Sequence, residues 1–402
     1  GEWDVKHEAF LRGVDAVNRL KFRIGYGESG NLAGISAYNA VRRMVPTNVV
    51  PVNGAPVVTM SEARNYNPDL RWETRGTFNV GAEAALWDNR LILTVAYYHA
   101  VTRDMLYEYE VPVPPFVYNK LLANNGTLSN DGWELGLGAS LLRTRDWGLD
   151  VNANLTVQRS RLRSLGGACL GMQLTAPRIT PIGGMELGAG FHGGNNNVLY
   201  QIVGQPLGVF YLPKSTGLEL QPDGSRRYEI EDLDHNGRIN VEDGGDRYVA
   251  GQATPKVMLG SNIAVRYKNW DLTMQINGAF GHKIFNATAL AYMNMTSFPD
   301  YNVMRGAPQQ NIKDQNVTDY WLEKGDYVNV DYITLGWNVP LRSRVIQGLR
   351  LSCSVNNPWT FTAYSGLTPM INSHVVNATI GMDDKRSYPV YRTFSMGVNV
   401  QF

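Results

Sequence analysis

The chain has 402 residues, 37 Lys and Arg against 36 Asp and Glu, and a formal charge of +1, a balance that offers no basic surface for a nucleic-acid backbone. Charged residues are only 18% and mean hydropathy is −0.25, yet no run approaches the roughly 20 apolar residues of a membrane-spanning helix. Two cysteines, Cys169 and Cys353, exclude a disulfide scaffold and argue against thiolate-ligated zinc.

The amino end, Gly1-Glu2-Trp3, has no Met and no basic or apolar leader region. On this reading an export signal has been removed or lies outside the sequence. Segment 1–19 reads as the end of an earlier strand and its turn. From there strict period-two alternation predicts ten strands, at 20–29, 73–86, 90–102, 131–142, 146–157, 256–267, 270–281, 327–339, 348–362 and 390–402. In the fourth, Trp133, Leu135, Leu137, Ala139 and Leu141 alternate with Glu134 and small residues. In the fifth, Trp147, Leu149, Val151, Ala153, Leu155 and Val157 alternate with polar or small residues. The last carries Phe394, Met396, Val398, Val400 and Phe402 on one face. Many of these strands are longer than the ~5–6 residues usual in soluble proteins and match the ~9–11 of a tilted transmembrane strand. A soluble sandwich or solenoid also alternates, but with shorter strands and more uniform turns.

The connections alternate too. Short turns fall at 87–89, 143–145, 268–269 and 340–347, and long segments at 30–72, 103–130, 158–255, 282–326 and 363–389. The expected fold is therefore all-β, a transmembrane antiparallel barrel with short periplasmic turns and long extracellular loops. Parity puts the carboxyl end at the periplasm. Trp133, Trp147, Trp270 and Trp337 at strand ends suit an aromatic girdle. Lipid forces every backbone polar group to pair within a closed sheet, which leaves alternate side chains free to be polar and explains the negative hydropathy.

Four stretches carry a family likeness: Asn67-Pro68-Asp69-Leu70-Arg71-Trp72-Glu73-Thr74, Tyr320-Trp321-Leu322-Glu323-Lys324-Gly325-Asp326-Tyr327-Val328, Asn357-Pro358-Trp359-Thr360-Phe361-Thr362-Ala363-Tyr364-Ser365-Gly366, and the ending from Tyr388-Pro389-Val390-Tyr391-Arg392-Thr393-Phe394 to Phe402. In this order they resemble the carboxyl-terminal part of SusC-like TonB-dependent transporters of the Bacteroidetes outer membrane. Past Gly366 the chain departs from the family's pattern, reading Leu367-Thr368-Pro369-Met370. The resemblance implies about ten strands of a 22-stranded barrel, with the plug domain, the TonB-contacting segment and the remaining part of the same barrel outside this chain. It further implies energised import of an oligosaccharide or a peptide, with a SusD-like surface lipoprotein as lid and TonB acting through the plug. The rival expectations are a barrel serving as surface anchor or adhesin, and an outer-membrane enzyme, for which the scattered carboxylates give no support.

One motif points to a cofactor. Asp232, Asp234, Asn236, Gly237, Arg238 and Asp243 fit the calcium-loop pattern, in which closely spaced oxygens surround a hard cation, Gly237 permits the turn and the Arg238 carbonyl is the backbone ligand. The expected role is a structural calcium clamp on the 158–255 loop; an Asx-rich turn without metal is the plainer reading. The six histidines, His7, His99, His192, His235, His282 and His374, show no paired metal spacing. Gly183-Gly184 and Gly193-Gly194 read as loop. Phe210-Tyr211 and Tyr292 with Phe298 and Tyr301 are candidates for stacking on sugars, though packing of the loops is the commoner use of such residues.

Overall fold

The computed structural model describes every residue except 37, 186–190, 194–195, 344, 372–379 and 386–387, so His374 and Gly194 lie outside the described residues. Ten long strands form one antiparallel meander in chain order. They are β1 (Val17–Asn31), β2 (Glu73–Leu86), β3 (Leu91–Glu110), β4 (Lys120–Arg143), β5 (Trp147–Cys169), β6 (Val257–Tyr267), β7 (Trp270–Phe280), β8 (Tyr327–Asn338), β9 (Gly348–Thr362) and β10 (Thr393–Gln401). All ten expected strands are present. Glu2–Asp4 adds a short eleventh beside β1, pairing Trp3 with Phe22, as expected of segment 1–19.

Pairing brings the apolar positions into one continuous face. Tyr26, Phe78, Val80, Tyr97, Val95 and Leu93 follow one another across β1 to β3. Leu93 lies opposite Leu137, Leu135 opposite Leu155, Val151 opposite Ile263, Ile263 opposite Met274 and Leu272 opposite Leu335. On β9 and β10, Cys353 meets Met396 and Val355 meets Phe394. Many of these side chains are exposed, Leu135, Leu335 and Met396 among them. A soluble sandwich would have buried this face; here nothing among the described residues covers it.

Aromatic rings bound the band. At the short-turn end Trp147 lies over Tyr267 at 4.3 Å and Trp270 stacks on Trp337 at 5.2 Å. At the other end Tyr97 meets Trp133 at 5.1 Å, and Trp133 pairs with Val157. The ten steps from Trp147 to Val157 span ~33 Å of strand, or ~25 Å of height at a tilt of ~40°, which matches the apolar belt of outer-membrane barrels. Trp133 marks the edge of the belt but does not end its strand.

That last point corrects the expected 103–130 connection. β3 and β4 run on past the belt, and only 111–119 joins them. The alternation breaks because β3 carries a bulge between Thr102 and Met105, with Asp104 at φ +57°. Beyond it Tyr109, Val111, Leu121, Ala123 and Leu174 close a dry cluster of their own. β5 likewise extends to Cys169, so the first part of 158–255 is strand. Within 30–72, Met44–Val52 and Ala55–Glu62 form a hairpin whose two turn residues, Asn53 and Gly54, both have positive φ. The turn at 87–89 is built the same way, with Trp87, Asp88 and Asn89 all left-handed.

The remaining long segments fold into a cap over the long-loop end. Its core joins Phe191, Val198, Phe210, Leu212, Phe285, Leu290, Ile312 and Met382. A four-stranded sheet, Ile179–Gly184, Asn197–Ile202, Val209–Pro213 and Arg247–Gln252, supplies one wall. The short helix Ala287–Tyr292 fills another, its first turn capped by Asn286 Oδ1, which accepts from Ala289 N at 2.9 Å.

Candidate functional site

The face opposite the apolar belt is polar on every strand. Asn152 stands between Gly138 and Asn262, and Asn154 between Gly136 and Gly260. Asn262 Nδ2 donates to Gln275 Oε1 at 3.2 Å and to Tyr332 Oη at 3.4 Å. Arg350 makes a bidentate pair with Asp271, at 2.5 and 2.7 Å. Asn329 donates to Asp331 and accepts from Thr360, so buried polar groups on this wall are satisfied side by side. Arg350, Asn152, Asn154 and Gln275 thus all lie on the inner face.

Where this wall meets the cap, a cavity of about 580 Å3 lies between Asn154, Thr156, Asn277 and Tyr327 of the strands and Pro369 and Met370 of the last long segment. Under the cap a polar lattice ties three segments together. Glu323 accepts from Asn286 Nδ2 and from both N and Oγ of Ser365, and Asp383 accepts from Tyr364 Oη and Thr288 Oγ1. Burial and the Asp383 carboxylate push the Tyr364 phenol well above its usual range, so it remains a donor. Tyr364 and Ser365 lie in the Asn357–Gly366 stretch, but alternation gives no sign of this lattice.

The calcium-type loop is compact. Asp232 accepts from Asn236 N and Gly237 N at 3.2 and 2.7 Å, and Asp234 accepts from Asn236 N and Nδ2. Asn236 Oδ1 accepts from Arg238 N at 2.8 Å. Gly237 has φ +79°, the left-handed turn the motif requires. The Gly237 amide, first among several donors, holds the Asp232 carboxyl below its ordinary range.

The expected set is not all assembled. Asp232 and Asp234 converge, but the third carboxylate within 4.8 Å is Asp246. Asp243 instead accepts from Tyr200 Oη at 2.5 Å and faces Arg247 Nη1 at 3.5 Å. The loop bends at Gly244, φ +87°, and Gly245, where a Cβ would lie 2.3 Å from Asn240 O. That bend carries the chain three residues beyond position twelve before an acid turns inward. Asp246 is fully buried, and accepts from Leu233 N at 2.8 Å and Asn240 N at 2.7 Å. An all-oxygen donor set of this density fits a hard divalent cation.

Among the aromatic candidates, Phe210 and Tyr211 are buried in the cap, Tyr211 against Tyr200, so they pack and do not meet a sugar. Tyr292 packs on the same core, whereas Phe298 and Tyr301 are exposed. Cys169 and Cys353 are both free thiols.

Comparison with known proteins agrees with this architecture. Residues 13–358 match the family described as TonB dependent receptor-like, beta-barrel. TonB-dependent receptor P3 of Formosa agariphila is 29% identical over the whole of this chain, which covers 41% of that protein. TonB-dependent receptor SusC of Bacteroides thetaiotaomicron is 23% identical, again over the whole chain and 39% of its own length. The chain spans about two fifths of the curated relatives it matches. The solved structure of the RagAB peptide transporter shares the fold with a TM-score of 0.72 and 20% identity, covering all of this chain and 43% of that one. With ten long strands, an apolar belt of membrane height and a polar inner wall, the chain belongs to the TonB-dependent receptor β-barrel family and lies in the outer membrane.

Proposed function

We propose that this chain forms part of a TonB-dependent importer that admits a glycan or a peptide across the outer membrane. The observation that carries the reading is the continuous polar inner wall beneath a folded cap, with a cavity between them. The relative named SusC and the fold shared with a peptide transporter support nutrient import, and leave glycan and peptide both as candidates. Transport involves no bond chemistry: the wall and cap bind and orient cargo, and the work comes from TonB through a plug. Among the described residues the two lateral edges, Glu2–Asp4 and β10, have no strand on their outer side, and lipid cannot satisfy backbone left unpaired there. In this reading they pair with the remaining strands of one barrel. A SusD-like lipoprotein closes over the cap.

Calcium is proposed as a structural clamp on the extracellular 158–255 segment. Asp232, Asp234 and Asp246 would hold it, with Asn236 and the Arg238 carbonyl completing an oxygen set. Bound calcium supplies only cross-linking charge. Asp243 is assigned to the Tyr200 and Arg247 contact.

Uptake of labelled oligosaccharides and oligopeptides by cells with and without the gene tests the import reading. Loss of one cargo class in the deletion strain and in a strain lacking TonB is expected. Uptake of every cargo unchanged in both strains refutes it and favours a surface anchor.

A further inference from the structure

Where β5 runs past its last pairing with β6, the wall opens. Val157 with Val257 is the final pair between these strands. Above it lies a cleft of about 770 Å3, bounded by β5, by the cap strand Arg247–Gln252 and by the segments carrying His282 and Asp326. Arg159, Arg161, Lys256, Lys283 and Lys324 line it against one carboxylate, Asp326. That carboxylate is already engaged, accepting from Gly281 N at 2.6 Å. Among the described residues none of the five cations makes an ion pair or a side-chain hydrogen bond, whereas Lys21, Arg71, Lys120, Lys214 and Arg350 elsewhere are each paired. Asp131, opposite Arg159 on β4, is engaged by His99, so in a chain of net charge +1 this is a local concentration of cations without ion-pair partners. His282, only 6% exposed, also lines the cleft, and its Nδ1 has no hydrogen-bond partner. Burial lowers its pKa, so the ring is a neutral donor and acceptor.

The position of the cleft selects its ligand. Arg159 and Arg161 share the face of Leu155 and Val157, two and four residues past the aromatic row. At ~3.3 Å per residue and a tilt of ~40° they stand ~5 and ~10 Å above it. The polar layer of a bilayer is about 5–8 Å deep on each side, so the Arg159 backbone lies within it and that of Arg161 just beyond it, within reach of its long side chain. Arg159 and Arg161 face outward, whereas Gln158 and Ser160 of the same cleft face the lumen, so an imported solute would meet only its inner side. We propose that this cleft binds the phosphate-bearing headgroup of an anionic outer-leaflet lipid, with Arg159 and Arg161 approaching from the membrane and Lys256, Lys283 and Lys324 from the cap. Guanidinium forks suit phosphate oxygens, and the lysines add point charge at short range.

The intact outer-membrane protein, purified in neutral detergent, is given micelles of phosphatidic acid or phosphatidylcholine, or inorganic phosphate without lipid, and bound lipid is counted by native mass spectrometry. Phosphatidic acid is retained about tenfold over phosphatidylcholine, and about threefold or less in Arg159→Gln with Arg161→Gln. Lys268→Gln, at the short turn of the other leaflet, leaves the preference unchanged. Equal retention of both lipids, an unaltered preference in the double variant, or equal displacement by inorganic phosphate or by an acidic oligosaccharide overturns the proposal. Should the double variant not fold, Lys324→Gln and about 0.5 M NaCl on the unaltered protein decide: each must lower the preference, and indifference to both overturns it.

Discussion

Arginine placed at Val151 should cost far more than arginine at its neighbour Asn152, although the two are adjacent in sequence. Val151 lies on the apolar face between Ala139 and Ile263, four residues from the Trp147 ring row. That places it ~10 Å up a belt ~25 Å high, within ~3 Å of the midplane. Charge there costs about 2–4 kcal/mol on the lipid side, a factor of about 30 to 1,000 in the folded-to-unfolded ratio. Leu137, opposite Ala153, is at comparable depth. Leu149 is two residues nearer the rings, and arginine there should cost only about 0–1 kcal/mol. Asn152 faces water between Gly138 and Asn262, where the change should stay within about 0.5 kcal/mol. The assay is folded fraction across a urea series in lipid vesicles, read from the heat-sensitive gel mobility of the intact barrel. The order Val151 and Leu137 worst, Leu149 intermediate, Asn152 least is expected. Equal tolerance at Val151 and Asn152, or the reverse order, would refute the assignment of faces.

Further expectations follow from the loop and the thiols. Asp232→Ala should raise protease cleavage within 158–255 and abolish its dependence on chelator, whereas Asp243→Ala should leave the chelator effect intact, since Asp243 serves Tyr200. Asp246→Ala should destabilise the loop by about 1–3 kcal/mol even in chelator, because the backbone N–H groups of Leu233, Asp234 and Asn240 lose their acceptor in a buried site; proteolysis rates measure this. The depressed Asp232 carboxyl implies protection that is complete above the ordinary Asp range and lost as pH falls through its lowered folded value, so loop cleavage at pH 5 should equal that at pH 7. Loss of protection already at pH 5–6 would contradict that direction. Cys353, opposite Leu335 and Met396 on the belt, should resist a charged thiol reagent in intact membranes and react with a lipid-soluble one.

The strands were legible because membrane and lumen impose opposite demands on adjacent residues, and β5 from Trp147 to Val157 displays that demand without interruption. Legibility ends where the solvent contrast ends. Above the belt, bulges such as that at Asp104 break the phase, and the strands continue between water and cap. In the cap, Val209–Pro213 is buried on both faces and therefore shows no alternation. The tight turn from Asp232 to Arg238 was legible, since a turn fixes those spacings. The acid that lies nearest to Asp232 and Asp234 was not, because Gly244 and Gly245 insert a bend that a fixed count of twelve cannot contain. Phe210 and Tyr211 look like ligand-facing aromatics in a loop only until that loop is seen to have a core.

The most direct measurement is a nitroxide scan from Trp147 to Arg161 on β5 in the intact protein in bilayers, recording relaxation by dissolved oxygen and by a water-soluble nickel chelate. The account predicts a period of two: oxygen dominates at the odd positions and peaks at Val151 and Ala153, the chelate dominates at Asn152 and Asn154, and oxygen dominance ends by Arg159. Chelate access that is equal at odd and even positions across Leu149 to Val157 would contradict it.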